Sequence, residues 1–309
     1  MQMQMKLGIK VGLLGTPFAD LEKTRPDFCE VWFHSGKIAE YAPLFKKIAK
    51  LNIKNGLHFW GQLSDGTQAN LAYPDKEILR QSIALVKKTI DAAATHKSTY
   101  VNIHPGEARL TKIDFERENV NPYTKEAALT KCEAALTAST TELAQYAKNR
   151  DVALYIESVP RRFIGHPWMG SEGRKKPVEI FQIQLPTIEP LLTIPNVYFA
   201  NDFGHTAGNV VSSSRETVKE FLYKTTHKLF AETKLLHVSY LIPPYNGTDY
   251  HGCLYYDEFK TIDAIPNYIE MQELLKLFRQ RNDVGALVEP ESDPVGNYFA
   301  LKKLVSEVP

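Results

Sequence analysis

Eight short runs of strand-forming residues recur along the chain, and segments of helical spacing separate most of them. The runs fall at 8–14, 28–33, 55–59, 100–104, 152–157, 197–202, 235–240 and 285–289. Most are continuous apolar stretches, as expected for strands covered on both faces. Between them, 39–51 places Leu44, Ile48 and Leu51 on one face, with Lys46, Lys47 and Lys50 solvated. Further helical patterns run from Pro74 to about His96, over 123–150, 215–231, 267–280 and 294–308, with a shorter one at 187–192. This alternation predicts an α/β chain folded as a single (β/α)8 TIM barrel over 1–309. A doubly wound open sheet has similar length, but no glycine-rich phosphate fingerprint follows an early strand here.

Composition narrows the partners. Lys+Arg 37 against Asp+Glu 36 leaves a formal net charge of +1, so the chain has no global basic field for nucleic acid. A local patch stays open, because 160–177 reads as an irregular segment carrying Arg161, Arg162, Arg174, Lys175 and Lys176. Cys29, Cys132 and Cys253 are odd in number and far apart, which predicts no disulfide framework and a reducing compartment. The first residues hold no long apolar segment, so a cytoplasmic protein without a membrane span is expected.

A barrel of this kind works at the carboxyl ends of its strands. Those positions here are rich in ligand-type side chains: His58, His104, Glu157, Asp202, His205, His237, Asp249, His251 and Glu289. The stretch 197–209 is the clearest case, a strand run that delivers Asp202 and His205 in D-x-x-H spacing before a small-residue turn. Taken singly, each residue has a structural explanation: a helix cap at Asp202, a core imidazole at His58, an Asx turn at Asp249. Taken together, carboxylates and imidazoles converging on one mouth are costly to desolvate without a cation. The set lacks cysteine, which suits zinc, manganese, cobalt or iron bound through oxygen and nitrogen. His34 follows the second strand at the mouth, while His96, His166 and His227 belong to helices or loops; none of these four is assigned to metal.

These motifs resemble the xylose isomerase-like TIM barrels, and within them the endonuclease IV family. The shared elements are His104-Pro105-Gly106, a strand-end Glu157, Asp202 with His205, a strand histidine at His237, Asp249 with His251, Glu289, and Asn70-Leu71-Ala72 with Pro74. The resemblance implies a three-zinc site on the nine residues named above. It departs in several places: Val238-Ser239 after His237, Gly252-Cys253-Leu254 after His251, Phe59-Trp60-Gly61-Gln62-Leu63 where the family wedges into DNA, and Lys10-Val11-Gly12 in place of a first-strand histidine motif.

Two functions follow from the resemblance. One is a metal-dependent phosphodiesterase acting on abasic sites in DNA, with Glu157 bridging ions and orienting the nucleophile. Arg161 and Arg162 would then meet phosphates, and Trp60, Tyr245 or Tyr250 would stack on a base or sugar. The other is a sugar isomerase or epimerase with one divalent ion on Glu157, Asp202, His237 and Glu289. There the paired carboxylates Glu157 and Glu289 would shuttle a proton, and His205 would contact the substrate. The expected partner is accordingly DNA with an abasic site or a small phosphorylated or sugar substrate.

Overall fold

A computed structural model describes residues 5–114, 119–164, 177–179, 181–212, 214–290 and 292–308. Its strands are β1 (Lys6–Val11), β2 (Phe28–His34), β3 (Lys54–Trp60), β4 (Tyr100–Ile103), β5 (Thr111–Asp114), β6 (Asn119–Pro122), β7 (Ala153–Glu157), β8 (Arg162–Ile164), β9 (Pro177–Glu179), β10 (Val197–Asp202), β11 (Thr233–His237) and β12 (Gly285–Leu287). Eight of them close a parallel barrel in the order β1-β12-β11-β10-β7-β4-β3-β2. Each of the eight predicted runs supplies one barrel strand, and helices between them cover the outside. No described helix is long and apolar enough to cross a membrane.

The lower half of the barrel interior is a packed apolar plug. Phe28, Tyr100, Ala200, Leu235 and Leu287 form it, with Ala153 and Tyr155 against them. Tyr100 and Tyr155 stack with ring centroids 4.3 Å apart. Two glycines make room for these rings: a Cβ on Gly8 would lie 2.4 Å from the Phe28 ring, and one on Gly56 only 2.1 Å from Tyr100. Filling the floor with aromatic rings leaves polar side chains to the upper layer, where the strands end.

Two antiparallel hairpins, β5 with β6 and β8 with β9, lie outside the barrel. The second falls in the segment read as irregular, whose Arg174, Lys175, Lys176 and His166 lie outside the described residues. The helix expected over 123–150 runs only from Leu129 to Lys148. Its missing start is taken up by other partners: Tyr123 N donates to Leu110 O, Leu110 N to Thr124 Oγ1, and Ala127 N to Ala108 O. A helix at Pro17–Thr24 was not expected; it follows directly from the turn at Gly15-Thr16-Pro17, with Pro17 at its first position.

Candidate metal centre

Strand ends bring the ligand-type residues to one rim. β10 and β11 pair Asp202 with His237, and β7 sets Glu157 beside Ala200. On β2, Glu30 points inward, and its Oε1 lies 2.9 Å from His237 Nε2. A carboxylate only accepts, so Nε2 carries a proton and Nδ1 is the nitrogen left to ligate an ion. That Nδ1 lies 3.3 Å from Glu157 Oε1, 3.3 Å from Glu289 Oε2 and 3.8 Å from Asp202 Oδ2. All four of these atoms are buried and make no hydrogen bond. Three buried carboxylate oxygens gathered on one imidazole nitrogen repel one another unless a proton or a cation sits among them. The donor set of three carboxylates and one imidazole, oriented by a carboxylate behind the imidazole, fits a divalent ion.

Asp202 also caps the short helix Phe203–Ala207, its Oδ1 accepting from His205 N at 2.8 Å. The structural reading of this residue therefore holds for one oxygen, while the other faces the centre. The cap turns His205 inward.

A second group lies beside the first. His205 Nδ1 donates to Ser158 O at 2.9 Å, and His251 Nδ1 to Glu289 O at 2.8 Å. Each imidazole thus directs Nε2 at Asp249, at 3.0 Å from Oδ1 and 3.1 Å from Oδ2. A backbone carbonyl behind each ring is the arrangement that orients metal-binding histidines. His205, Asp249 and His251 form one group whose ligand atoms lie within 4.8 Å of one another; Glu157 with Asp202 and His237 forms another. Among the described residues, His58 with His104 and Glu157, and Glu30 with His58, His237 and Glu289, satisfy the same distance.

Lys10 enters the last of these groups. It faces Glu30 across the β1–β2 pairing. Its Nζ lies 2.7 Å from Glu30 Oε1, 3.0 Å from Glu289 Oε2 and 2.5 Å from His58 Nδ1. It is 6% exposed and lies 5.6 Å from the Trp32 ring centroid. Trp32 stacks on His58 and is itself exposed, giving the mouth an open aromatic face.

Charges in this cluster hold one another. Burial opposes ionisation of Glu157, but attraction to His237 and contacts from the neighbouring imidazoles outweigh it and keep the carboxyl well below its usual range. Glu289 is lowered to about 2 against burial by Lys10 and His237. Burial also disfavours charge on the imidazoles of His205, His237 and His251. The surrounding carboxylates nonetheless raise all three, His251 to about 9. Burial lowers His104, which has weaker support from Glu157. An ion bound at these imidazoles would compete with protons for them.

The Asn70-Leu71-Ala72 motif acts on the site through backbone. Asn70 Oδ1 accepts from Ala72 N, Tyr73 N and Glu107 N, and its Nδ2 donates to Glu107 O and Arg109 O. It thereby clamps the turn at Gly106, whose φ of +101° suits glycine, just after His104.

The expected substrate contacts fare unevenly. Trp60 packs on His34 at the rim, centroids 4.6 Å apart. Tyr250 is half-buried, its hydroxyl on Glu258 and its ring edge-on to Tyr240. Tyr245 is a correction: it is buried in the apolar cluster with Leu241 and Ile265, its hydroxyl donating to Asp263 O, and presents no face for stacking. Arg161 Nε donates to Asn209 O and Arg162 Nη1 to Asn246 O, so both guanidinium groups tie loops together. Lys10, Glu30 and Trp32 were missed. The available signal was a lone charge inside an apolar strand run, at GIKVGLL and FCEVWF.

A profile of the xylose isomerase-like TIM barrels matches residues 21–177, just over half of the chain, and the chain belongs to that family. No curated protein matches it in sequence. Solved structures with the same fold include a D-tagatose 3-epimerase-like protein, at 15% identity and TM-score 0.65, covering 98% of each chain. A 3-keto-D-glucoside 4-epimerase from E. coli aligns at 14% identity and TM-score 0.62, over 98% of this chain and 99% of that one. Endonuclease IV from Thermus thermophilus aligns at 13% identity and TM-score 0.55, over 97% of this chain and 98% of that one. Likeness at this level of identity speaks for the fold; function has to be argued from the site.

Proposed function

We infer that the chain is a metal-dependent hydrolase of phosphoesters, with a phosphodiester at an abasic site in DNA as the first substrate to try. One observation carries this reading. Beside the carboxylates that converge on His237 Nδ1 stands a second group, His205, Asp249 and His251, each imidazole backed by a carbonyl. A one-ion isomerase has no use for that second group, whereas hydrolysis of a phosphoester gains from ions on both the attacking and the leaving side.

Divalent ions held there would supply Lewis acidity to water and to the phosphoryl oxygens. The chain's own residues set the geometry. Asn102 donates to Glu157 Oε2, which aims Oε1 at His237 and His205. Glu157 therefore belongs to the group at His237 and touches the Nδ1 side of the His205 ring. Glu30 fixes the His237 ring, and Ser158 O and Glu289 O fix the other two. Trp32 offers an exposed ring at the mouth for a base or sugar. Hydrolysis adds water to phosphorus and breaks one P–O ester bond.

The sugar isomerase or epimerase reading keeps one specific support: Glu157 and Glu289 each stand 3.3 Å from His237 Nδ1, the paired carboxylates a proton shuttle requires. The test runs both substrates in parallel. Zinc-loaded protein should cut a duplex containing an abasic site and leave ketoses unchanged with manganese or cobalt. Ketose epimerisation without strand cleavage would replace the hydrolase reading.

A further inference from the structure

We propose that Lys10 is a built-in cation that takes the place of one metal ion at the His58 corner of the mouth. The inference rests on reading the mouth as a metal centre. Its basis is where the ammonium sits and what it does to His58. The Glu30, His58, His237 and Glu289 atoms lie close enough to share an ion, and Lys10 Nζ already contacts three of those residues. Two of these contacts are hydrogen bonds, to Glu30 and His58, and the third is an ion pair with Glu289.

The contact with His58 reaches further. An ammonium only donates, so His58 Nδ1 accepts and Nε2 keeps its proton. That Nε2 points at His104 Nε2, 3.3 Å away, and at Glu157 Oε2, 3.7 Å away. While Nδ1 accepts from the ammonium, Nε2 could give its proton up to a metal only by leaving an imidazolate. Lys10 therefore closes two groups at once: it fills one and removes His58 from the other. The groups left are Glu157, Asp202 and His237 with Glu289, and His205 with Asp249 and His251. Charge agrees with this count. The five carboxylates Glu30, Glu157, Asp202, Asp249 and Glu289 are balanced by one ammonium and two dications. The structure thus assigns two ions to a mouth whose ligand inventory resembles a three-ion site.

The test counts metal. Protein stripped with a chelator and dialysed against zinc is measured by plasma mass spectrometry, as wild type, Lys10→Met and His58→Gln. Lys10→Met should bind one zinc more than wild type, because His58 Nδ1 can then carry the proton and free Nε2. His58→Gln should bind as many as wild type, which keeps the proposal falsifiable if Lys10→Met does not fold. Loss of a zinc in His58→Gln, or a folded Lys10→Met with an unchanged count, overturns the proposal. The starting count addresses the other reading separately. Two zinc ions in wild type support the hydrolase. One zinc ion, rising to two in Lys10→Met, sinks the hydrolase and leaves the role of Lys10 standing.

Discussion

The two arcs of the barrel mouth handle buried charge in opposite ways. Along β1, β2 and β3, Glu30 and His58 face a cation that the chain itself supplies, and their contacts with Lys10 are hydrogen bonds. Along β7, β10 and β11, and in the loop after β12, Glu157 Oε1, Asp202 Oδ2, His237 Nδ1 and Glu289 Oε2 converge without a hydrogen bond. Glu289 belongs to both arcs, since the same oxygen meets Lys10 as an ion pair. The contrast marks where an outside ion would fit. Desolvating carboxylates is unfavourable in either arc, and only one arc contains its own remedy.

The largest expected effect breaks the ion-dependent arc. His237→Ala should lose the zinc bound there and reduce hydrolysis by more than the roughly 100- to 1,000-fold that losing one transition-state contact costs. Zinc analysis with single-turnover kinetics checks it, and retained zinc with near-normal rates would remove the centre from the account. His251→Ala comes next. It should give up one zinc ion, keep the other and abolish cleavage of the abasic-site duplex; an active His251→Ala protein counts against the hydrolase.

A smaller effect probes the link between the arcs. Glu30→Gln leaves every ligand in place but weakens the acceptor that orients His237. Zinc affinity should fall about 10- to 100-fold, the usual range for a group behind a metal ligand, while Lys10 loses one charged partner. Isothermal titration with zinc reads this directly, and unchanged affinity would make Glu30 irrelevant to the ion.

The smallest effect is a difference in pH dependence. His205, His237 and His251 have folded values raised above the ordinary imidazole value, His251 to about 9. Their contribution to stability is full below about pH 6.5, the unfolded value, and is lost as pH rises through the folded values. Chelator-treated protein should therefore melt at lower temperature as pH goes from about 6.5 to 9. Zinc-loaded protein should not, because the ion replaces the protons and binds better as they leave. Parallel melting curves decide it; identical trends for the two forms would mean that these imidazoles do not exchange protons for metal.

The fold was legible because a parallel barrel writes itself as buried strand runs, and 152–157 or 197–202 could hardly be anything else in that setting. The ligand-type residues were legible for a related reason: His104, Glu157 and Asp202 are polar residues at the ends of apolar runs. Lys10 and Glu30 were not, since each sits in mid-run and only the pairing of β1 with β2 sets them side by side. The lone charge in each apolar run was the only local mark, and it does not say which partner the side chain meets across the barrel. Tyr245 failed for the opposite reason, its loop folding back so that the ring enters the apolar cluster. The start of the helix at Leu129 depended on backbone bonds to 108–110, which no helical periodicity can reveal.

An anomalous difference map at the zinc edge, from crystals grown with zinc and without chelator, would show whether the barrel mouth holds an ion. A peak enclosed by Glu157, Asp202, His237 and Glu289 is expected. Well-ordered side chains at these four positions with no peak among them would contradict that expectation.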